Sequence, residues 1–217
     1  MNKEKEIAEV MKILKKNRNK FTTPVVTEVA NVTESPYQVL ISCLLSLRTL
    51  DATTAKVSER LFKVAKTPRQ MNKLSLRQLA KIIRPVNYYR TKSKRIRQIS
   101  KEILQKYKGK VPDDFDTLMK FKGVGRKTAN IVMVYGFGKQ GLPIDTHCHR
   151  IPNRLGWIKT KTPEQTEKEL RKILPKTYWH DFNDLFVQFG QNICRPAGPK
   201  CDACPVRKCC KYQKTRS

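Results

Sequence analysis

Acidic side chains are scarce in this sequence: 18 Asp and Glu stand against 46 Lys and Arg, a net charge of +28 over 217 residues. Solubility asks for far less charge than that. A charge-rich thermophilic surface is another source of lysines, but such surfaces balance lysine with glutamate, and that balance is missing here. The excess fits a polyanion partner, most simply nucleic acid. Long apolar runs are lacking too, and none approaches the roughly 20 residues that a membrane-spanning helix needs. The lysine-rich opening segment carries Glu4, Glu6 and Glu9 and has no apolar core of the signal-peptide kind. A cytoplasmic protein is expected, nucleoid-associated in a prokaryote. Period-two alternation is nearly absent, and there is no internal repeat or disordered linker. The length suits one globular body or two small lobes with a real core.

Helix signals are abundant instead, and the sequence predicts an all-α fold. Ile7, Val10, Met11 and Leu14 form an apolar stripe on an N-terminal helix, with lysines on its other face. Ser35-Pro36 and Thr67-Pro68 each read as a cap followed by proline at the first helical position. Asp51 is expected to cap the next helix, Ser75 to open one that stops before Pro85, and Thr91 to open a long one ended by Gly109. Thr162 and Gln165 have capping-box spacing. A last long helix carries Phe182, Leu185, Phe186, Phe189 and Ile193. The charge is uneven. Eleven Lys and Arg face the single acid Glu102 between Lys81 and Lys110, which suggests one nucleic-acid-facing side, although a solvated helix face accounts for part of the run.

The stretch from Leu118 to Arg150 organises the chain. An apolar run breaks at Gly123-Val124-Gly125, and a second run with Ala129, Val132 and Met133 at helical spacing follows. Two glycines around one small apolar residue make a turn between helices, where a second backbone can come very close. The turn can simply hold two helices together, or it can seat a phosphate on outward-pointing N–H groups. Arg126 and Lys127 directly after it favour the second role. Lys127 sits where the helix dipole, Arg126 and partial burial all disfavour its charged form, so its pKa is expected to fall. A neutral amine there is a nucleophile able to form a Schiff base. Asp145 has the position of an N-cap for a helix starting at Thr146, and a capping carboxylate can also face a pocket.

Seven cysteines, five of them between Cys194 and Cys210, read as a metal or cluster site in a reducing compartment rather than a disulfide framework. Four thiolates hold either zinc or an Fe–S cluster. Zinc ribbons usually show two Cys-x2-Cys knuckles, and here only Cys201 and Cys204 form one. Cys43 and Cys148 read as free thiols.

Together these residues resemble the endonuclease III family. The run Gly123-Val124-Gly125-Arg126-Lys127-Thr128-Ala129-Asn130 resembles its helix-hairpin-helix motif, and Ile144-Asp145-Thr146-His147 its catalytic aspartate segment. Cys194-x6-Cys201-x2-Cys204-x5-Cys210 is similar to its C-terminal [4Fe–4S] loop, in which the last spacing favours Cys210 over the adjoining Cys209. Weaker likeness runs from Pro36-Tyr37 through Leu44, Leu45, Ser46 and Asp51 to Tyr89 and Lys92, so nearly the whole chain is covered.

The resemblance implies a two-lobed fold. Residues 29–138 would form a six-helix domain with the hairpin near 118–136, and residues 1–28 with 139–217 an iron–sulfur cluster domain. It implies a base-excision repair enzyme: a bifunctional DNA N-glycosylase removing oxidised pyrimidines such as thymine glycol, and an AP lyase cleaving by β-elimination through a lysine Schiff base. Carried over by position, Lys127 and Asp145 are catalytic, and Cys194, Cys201, Cys204 and Cys210 hold the cluster. Gly123, Val124, Gly125, Arg126, Arg48, Tyr88, Arg195 and Lys200 contact DNA. The implied partner is double-stranded DNA with a damaged base or abasic site, bound by a monomer.

Three departures from the family pattern stand out. Arg48 replaces the glutamine of many members, in a loop that fills the gap left by the flipped base. Asn87-Tyr88-Tyr89 replaces Gly-Leu-Tyr in the second inserted loop, and asparagine tolerates the positive φ that glycine served. Pro152 falls inside the helix expected after Asp145, where it removes a backbone hydrogen bond. Two other readings remain at this point: a monofunctional glycosylase excising mismatched thymine or adenine, against which Lys127 speaks, and a non-enzymatic DNA-binding module, which leaves the cysteine loop unexplained.

Overall fold

The computed structural model describes residues 3–18, Val26, Val29 and 35–214. Every regular element among them is helical. In chain order these are α1 (Lys3–Lys16), α2 (Pro36–Ser46), α3 (Asp51–Val64), α4 (Pro68–Lys73), α5 (Leu76–Ile83) and α6 (Tyr89–Lys106). They continue with α7 (Phe115–Lys120), α8 (Arg126–Ile131) running into a π turn at Val132–Gly136, α9 (Thr146–Leu155), α10 (Pro163–Ile173), α11 (Trp179–Asn192) and the short α12 (Lys211–Lys214). The chain forms two compact units, Val25–Lys139 and the pair of segments Met1–Pro24 and Gln140–Ser217. The domain boundary expected at residue 28 falls on a position outside the described residues.

The starts of several helices follow from local chemistry. Ser35, Thr67, Ser75 and Thr162 each accept a hydrogen bond from the backbone N–H three residues on, and all but Ser75 are followed by proline at the first helical position. Ser75 and Gln78 complete a reciprocal capping box. Two expected caps are corrected. Asp51 does not cap α3, because the Leu50 carbonyl already accepts Thr54 N–H at 2.9 Å. Asp51 instead lies in the first turn, where its charge meets the positive end of the dipole. Thr91 does not open α6. Tyr88 takes a left-handed conformation (φ 57, ψ 31) and its carbonyl accepts Lys92 N–H at 2.9 Å, so the helix begins at Tyr89. Positive φ at Lys108 and Gly109 ends α6, with Gly109 N–H reaching back to the Ile103 carbonyl. Pro152 lies buried inside α9, which runs on to Leu155, and nothing in the structure explains this proline.

In the Val25–Lys139 unit the core is organised around α2, whose residues Tyr37 through Leu45 are all buried. A helix buried on every side belongs in the middle of its unit, and this one takes Gln38 and Ser42 inside with it. Val57, Leu61, Leu79, Ile83, Ile96, Ile99, Ile103, Leu118 and Val132 pack with it. The π turn comes so close to α2 that a side chain at Gly136 would sit 3.0 Å from the Pro36 Cα.

The other unit packs α1 with α9, α10 and α11 through Ile7, Val10, Met11, Ile151, Leu170 and Phe186. Phe182 stacks on Phe186 at 4.1 Å, and Trp157 is buried beside Phe186 while its Nε1–H donates to Glu6 at 3.1 Å. Burial of each such large side chain stabilises by about 1.5–3 kcal/mol. Lys15 and Arg18 pair with Asp181 at 2.6 and 3.5 Å, joining the end of α1 to α11.

Candidate active site

In the Val25–Lys139 unit, Phe121 and Val124 anchor the hairpin in the core, and Gly123 takes φ +90, a conformation that suits glycine. The anchoring leaves Gly123, Gly125, Arg126 and Lys127 exposed in the turn and the first turn of α8. The partial burial expected for Lys127 is therefore corrected: hydrophobic contact in this short helix is left to Thr128, Ala129, Asn130 and Ile131, which are buried behind it. Arg126 stacks on the ring of Phe115 at 5.0 Å. Arg95, from α6, lies over the hairpin, and a Cβ at Gly123 would meet its Cδ at 3.0 Å. Cys43 is buried in α2, and burial pushes its thiol up to about 12.

Arg48 and Tyr88 lie on separate loops of the same unit, and both hold positive φ without being glycine. The structure brings them together, with the Arg48 guanidinium 5.9 Å from the centre of the Tyr88 ring. Lys92 underlies this pair. Its Nζ donates to the carbonyls of Leu45 and Leu47 at 2.7 Å each and to the Thr49 hydroxyl at 3.0 Å. It is nearly fully buried, and burial lowers its ammonium to about 8. Sequence reasoning gave Lys92 no such part, since a lysine within a basic run reads as a solvated cation.

In the other unit, Asp145 caps α9, and its Oδ1 accepts the N–H groups of His147 and Cys148 at 2.8 Å each. The next turn supplies Arg150, which donates to the Cys194 carbonyl at 2.7 Å. Arg154 donates to the carbonyls of Arg195 and Pro196 at 2.7 and 2.8 Å and to Cys194 Sγ at 3.4 Å. These two arginines fasten the cysteine loop to α9, and neither was singled out from the sequence. Arg195 and Lys200 are exposed on that loop.

Cys194, Cys201, Cys204 and Cys210 line one cavity together with Arg154 and Tyr212. Burial, with the other three thiols close by, raises Cys204 to about 11. Cys209 faces elsewhere; burial raises its thiol and the carboxylates of Glu9 and Glu6 on α1 add to the effect. Among the described residues no three His, Cys, Asp or Glu side chains gather closely enough to hold a single metal ion. Four thiols sharing one cavity offer the soft donors that zinc or an Fe–S cluster takes.

Residues 41–176 match the family described as the HhH-GPD superfamily base excision DNA repair protein. The chain is 47% identical to endonuclease III of Thermotoga maritima over 83% of its own length and 85% of that protein's. It is 41% identical to endonuclease III-like protein 1 of Mus musculus over 80% of its length, a match spanning 59% of the mouse protein. A solved structure of an endonuclease III trapped as a covalent intermediate with DNA, in an estranged-adenine complex, superposes with a TM-score of 0.87 at 33% identity, covering 100% of this chain and 99% of that one. The chain thus belongs to the endonuclease III family of HhH-GPD base excision DNA repair proteins, which are DNA glycosylases and lyases.

Proposed function

We propose that Lys127 is the nucleophile of a bifunctional glycosylase and AP lyase acting on oxidised pyrimidines in double-stranded DNA, thymine glycol among them. The observation that carries this reading is the exposed amine of Lys127 in the first turn of α8, directly after the Gly123–Gly125 hairpin. With the damaged nucleotide turned out of the stack, the neutral Lys127 amine attacks C1′ and the bond from C1′ to the base breaks, the base leaving with its electron pair and taking up a proton. The amine then loses protons as the sugar ring opens to an imine. Removal of a proton from C2′ expels the 3′ phosphate and cuts the strand. Asp145 supplies a carboxylate that takes a proton from Lys127 or balances positive charge developing on the sugar. The hairpin glycines and Arg126 contact the DNA backbone, as do Arg195 and Lys200 on the cysteine loop; Val124, expected to join them, is buried and its N–H bonds the Phe121 carbonyl.

Cys194, Cys201, Cys204 and Cys210 would hold a [4Fe–4S] cluster, which suits their soft donors and shared cavity. When bound, the cluster cross-links the loop that displays Arg195 and Lys200. The protein works as a monomer, since one lesion needs no symmetry. The test is borohydride trapping on duplexes holding one thymine glycol or one abasic site. A covalent complex on both, lost in Lys127→Ala and Lys127→Gln while DNA binding survives, is expected. Strand cleavage retained by either variant overturns the assignment of Lys127, and trapping on the abasic duplex alone removes thymine glycol from the substrates.

A further inference from the structure

Asp145 stands where extended chain turns into α9, with φ −104 and ψ −170. A capping residue is only half inside its helix, so the chain before it can pivot unless something else holds it. Its own carboxylate ties Asp145 to the helix side, where Oδ1 accepts the N–H groups of His147 and Cys148. The chemistry asks for more. A carboxylate that takes a proton from Lys127, or balances charge on the sugar, has to be held in direction as well as in place.

The hold on the other side comes from α11. Asn183 is 5% exposed, and its side-chain amide carries two hydrogens. One goes to the Pro143 carbonyl at 3.2 Å and the other to Cys148 Sγ at 3.4 Å. Pro143 precedes Asp145 by two residues and Cys148 follows it by three, so a single amide braces both ends of the cap. Pro143 is itself buried, and a buried carbonyl has to be paired, which makes this amide a requirement of the turn. Ile144, between Pro143 and Asp145, is packed in the core of the unit. Two turns further along the same face of α11, Gly190 leaves room for His147, whose Cβ would lie 3.0 Å from a Cβ added to the glycine. The helix thus sets the first turn of α9 at two points, with an amide that reaches and a gap that receives.

We propose that Asn183 is a positioning residue for the reaction, whose amide holds Pro143 and Cys148 and through them aims the Asp145 carboxylate. It does not touch the reacting atoms. The inference rests on the base-excision reading above, and it adds to that site a residue forty positions along the chain from the carbonyl it holds.

The experiment is single-turnover cleavage of a duplex holding one abasic site, where the aldehyde is already in place and no base has to leave. Asn183→Leu matches the amide in shape and removes both donors. Asn183→Ala removes them by truncation, and either variant that folds decides the question. The rate at saturating enzyme should fall about tenfold, while the enzyme concentration at half-saturation changes by less than about twofold. In an Asp145→Ala background the same substitution should lower the residual rate by less than about twofold, because the carboxylate it aims is gone. An equal loss in both backgrounds would make Asn183 a packing residue and overturn the proposal. So would an unchanged rate where Asp145 is intact, or a loss seen in half-saturation instead of in rate. A parent protein that cuts no abasic duplex strikes instead at the function proposed above.

Discussion

Gly190 sits in the last turn of α11, where glycine still costs up to about 1 kcal/mol relative to alanine. The structure supplies the reason. A Cβ built there would meet His147 at its ring nitrogen Nδ1, with Cγ at 2.7 Å and Cβ at 3.0 Å. The ring tip could rotate away, but the Cβ of His147 moves only with its backbone. That backbone is the capped first turn of α9, held through the His147 and Cys148 N–H groups on Asp145. Gly190→Ala should therefore be destabilising despite its better helix propensity. Overpacking of this kind costs about 1–3 kcal/mol, and a clash with the root of a ring belongs at the upper end. After the propensity gain, the net loss should be about 1–2 kcal/mol, a fall in Tm of roughly 2–8 °C for a chain of this size.

The assay is thermal unfolding of samples matched for bound iron, with His147→Ala and the double variant completing a cycle. His147→Ala carries its own cost, since His147 Nδ1 lies 3.0 Å from Arg150 Nη2. The informative quantity is the coupling, expected to recover at least about 1 kcal/mol in the double variant. A Gly190→Ala protein as stable as its parent, or a cycle with no coupling, would refute the steric account.

Three further outcomes follow from the same geometry. Asp145→Asn keeps an oxygen that can accept from His147 and Cys148, so stability should hold within about 0.5 kcal/mol while strand cleavage falls steeply; Asp145→Ala should lose about 1 kcal/mol as well, both read by melting and trapping assays. Burial alone would raise Asp181, but its hydrogen bond and charge contact with Lys15, and then Arg18, hold it below the usual carboxylate range. A carboxylate depressed in the folded state stabilises above its unfolded value near 3.8 and loses that contribution as pH falls through the folded value, so melting below about pH 4 should drop more steeply in the parent than in Asp181→Asn. Finally, Cys210→Ser should lose iron and the loop's resistance to proteolysis, whereas Cys209→Ser should retain both, because only Cys210 lines the shared cavity. Equal iron contents in the two variants would count against that ligand assignment.

How far the sequence foretold these features depended on how local their causes are. The all-α fold, the serine and threonine caps and the hairpin were legible, because periodicity, capping hydroxyls and paired glycines act within a few residues. The thiol set was legible through spacing, although the separation of Cys209 from the other four needed α1, which supplies Glu6 and Glu9 from the far end of the chain. The failures share one form. Asp51 and Thr91 have good capping chemistry, yet each helix starts earlier because a neighbouring carbonyl, of Leu50 or Tyr88, is already placed to accept its first bond. The burial expected of Lys127 failed because the apolar contacts of α8 belong to the residues after it.

Lys92 is the extreme case. It is one of eleven cations in a stretch that reads as a solvated, DNA-facing surface, although it stands four residues before Ile96 on the face of α6 that is buried, which Lys94 does not share. What the sequence does not show is how its charge is satisfied: its three acceptors lie more than forty residues upstream. A buried ammonium is costly unless every hydrogen is bonded, so its position is tolerable only if the first loop closes around it. The same condition holds Arg48 in a left-handed conformation that its own side chain disfavours. The charge that best marks this chain as a DNA-binding protein thus includes one lysine that is turned inward, where its hydrogen bonds fix the shape of the loop it closes.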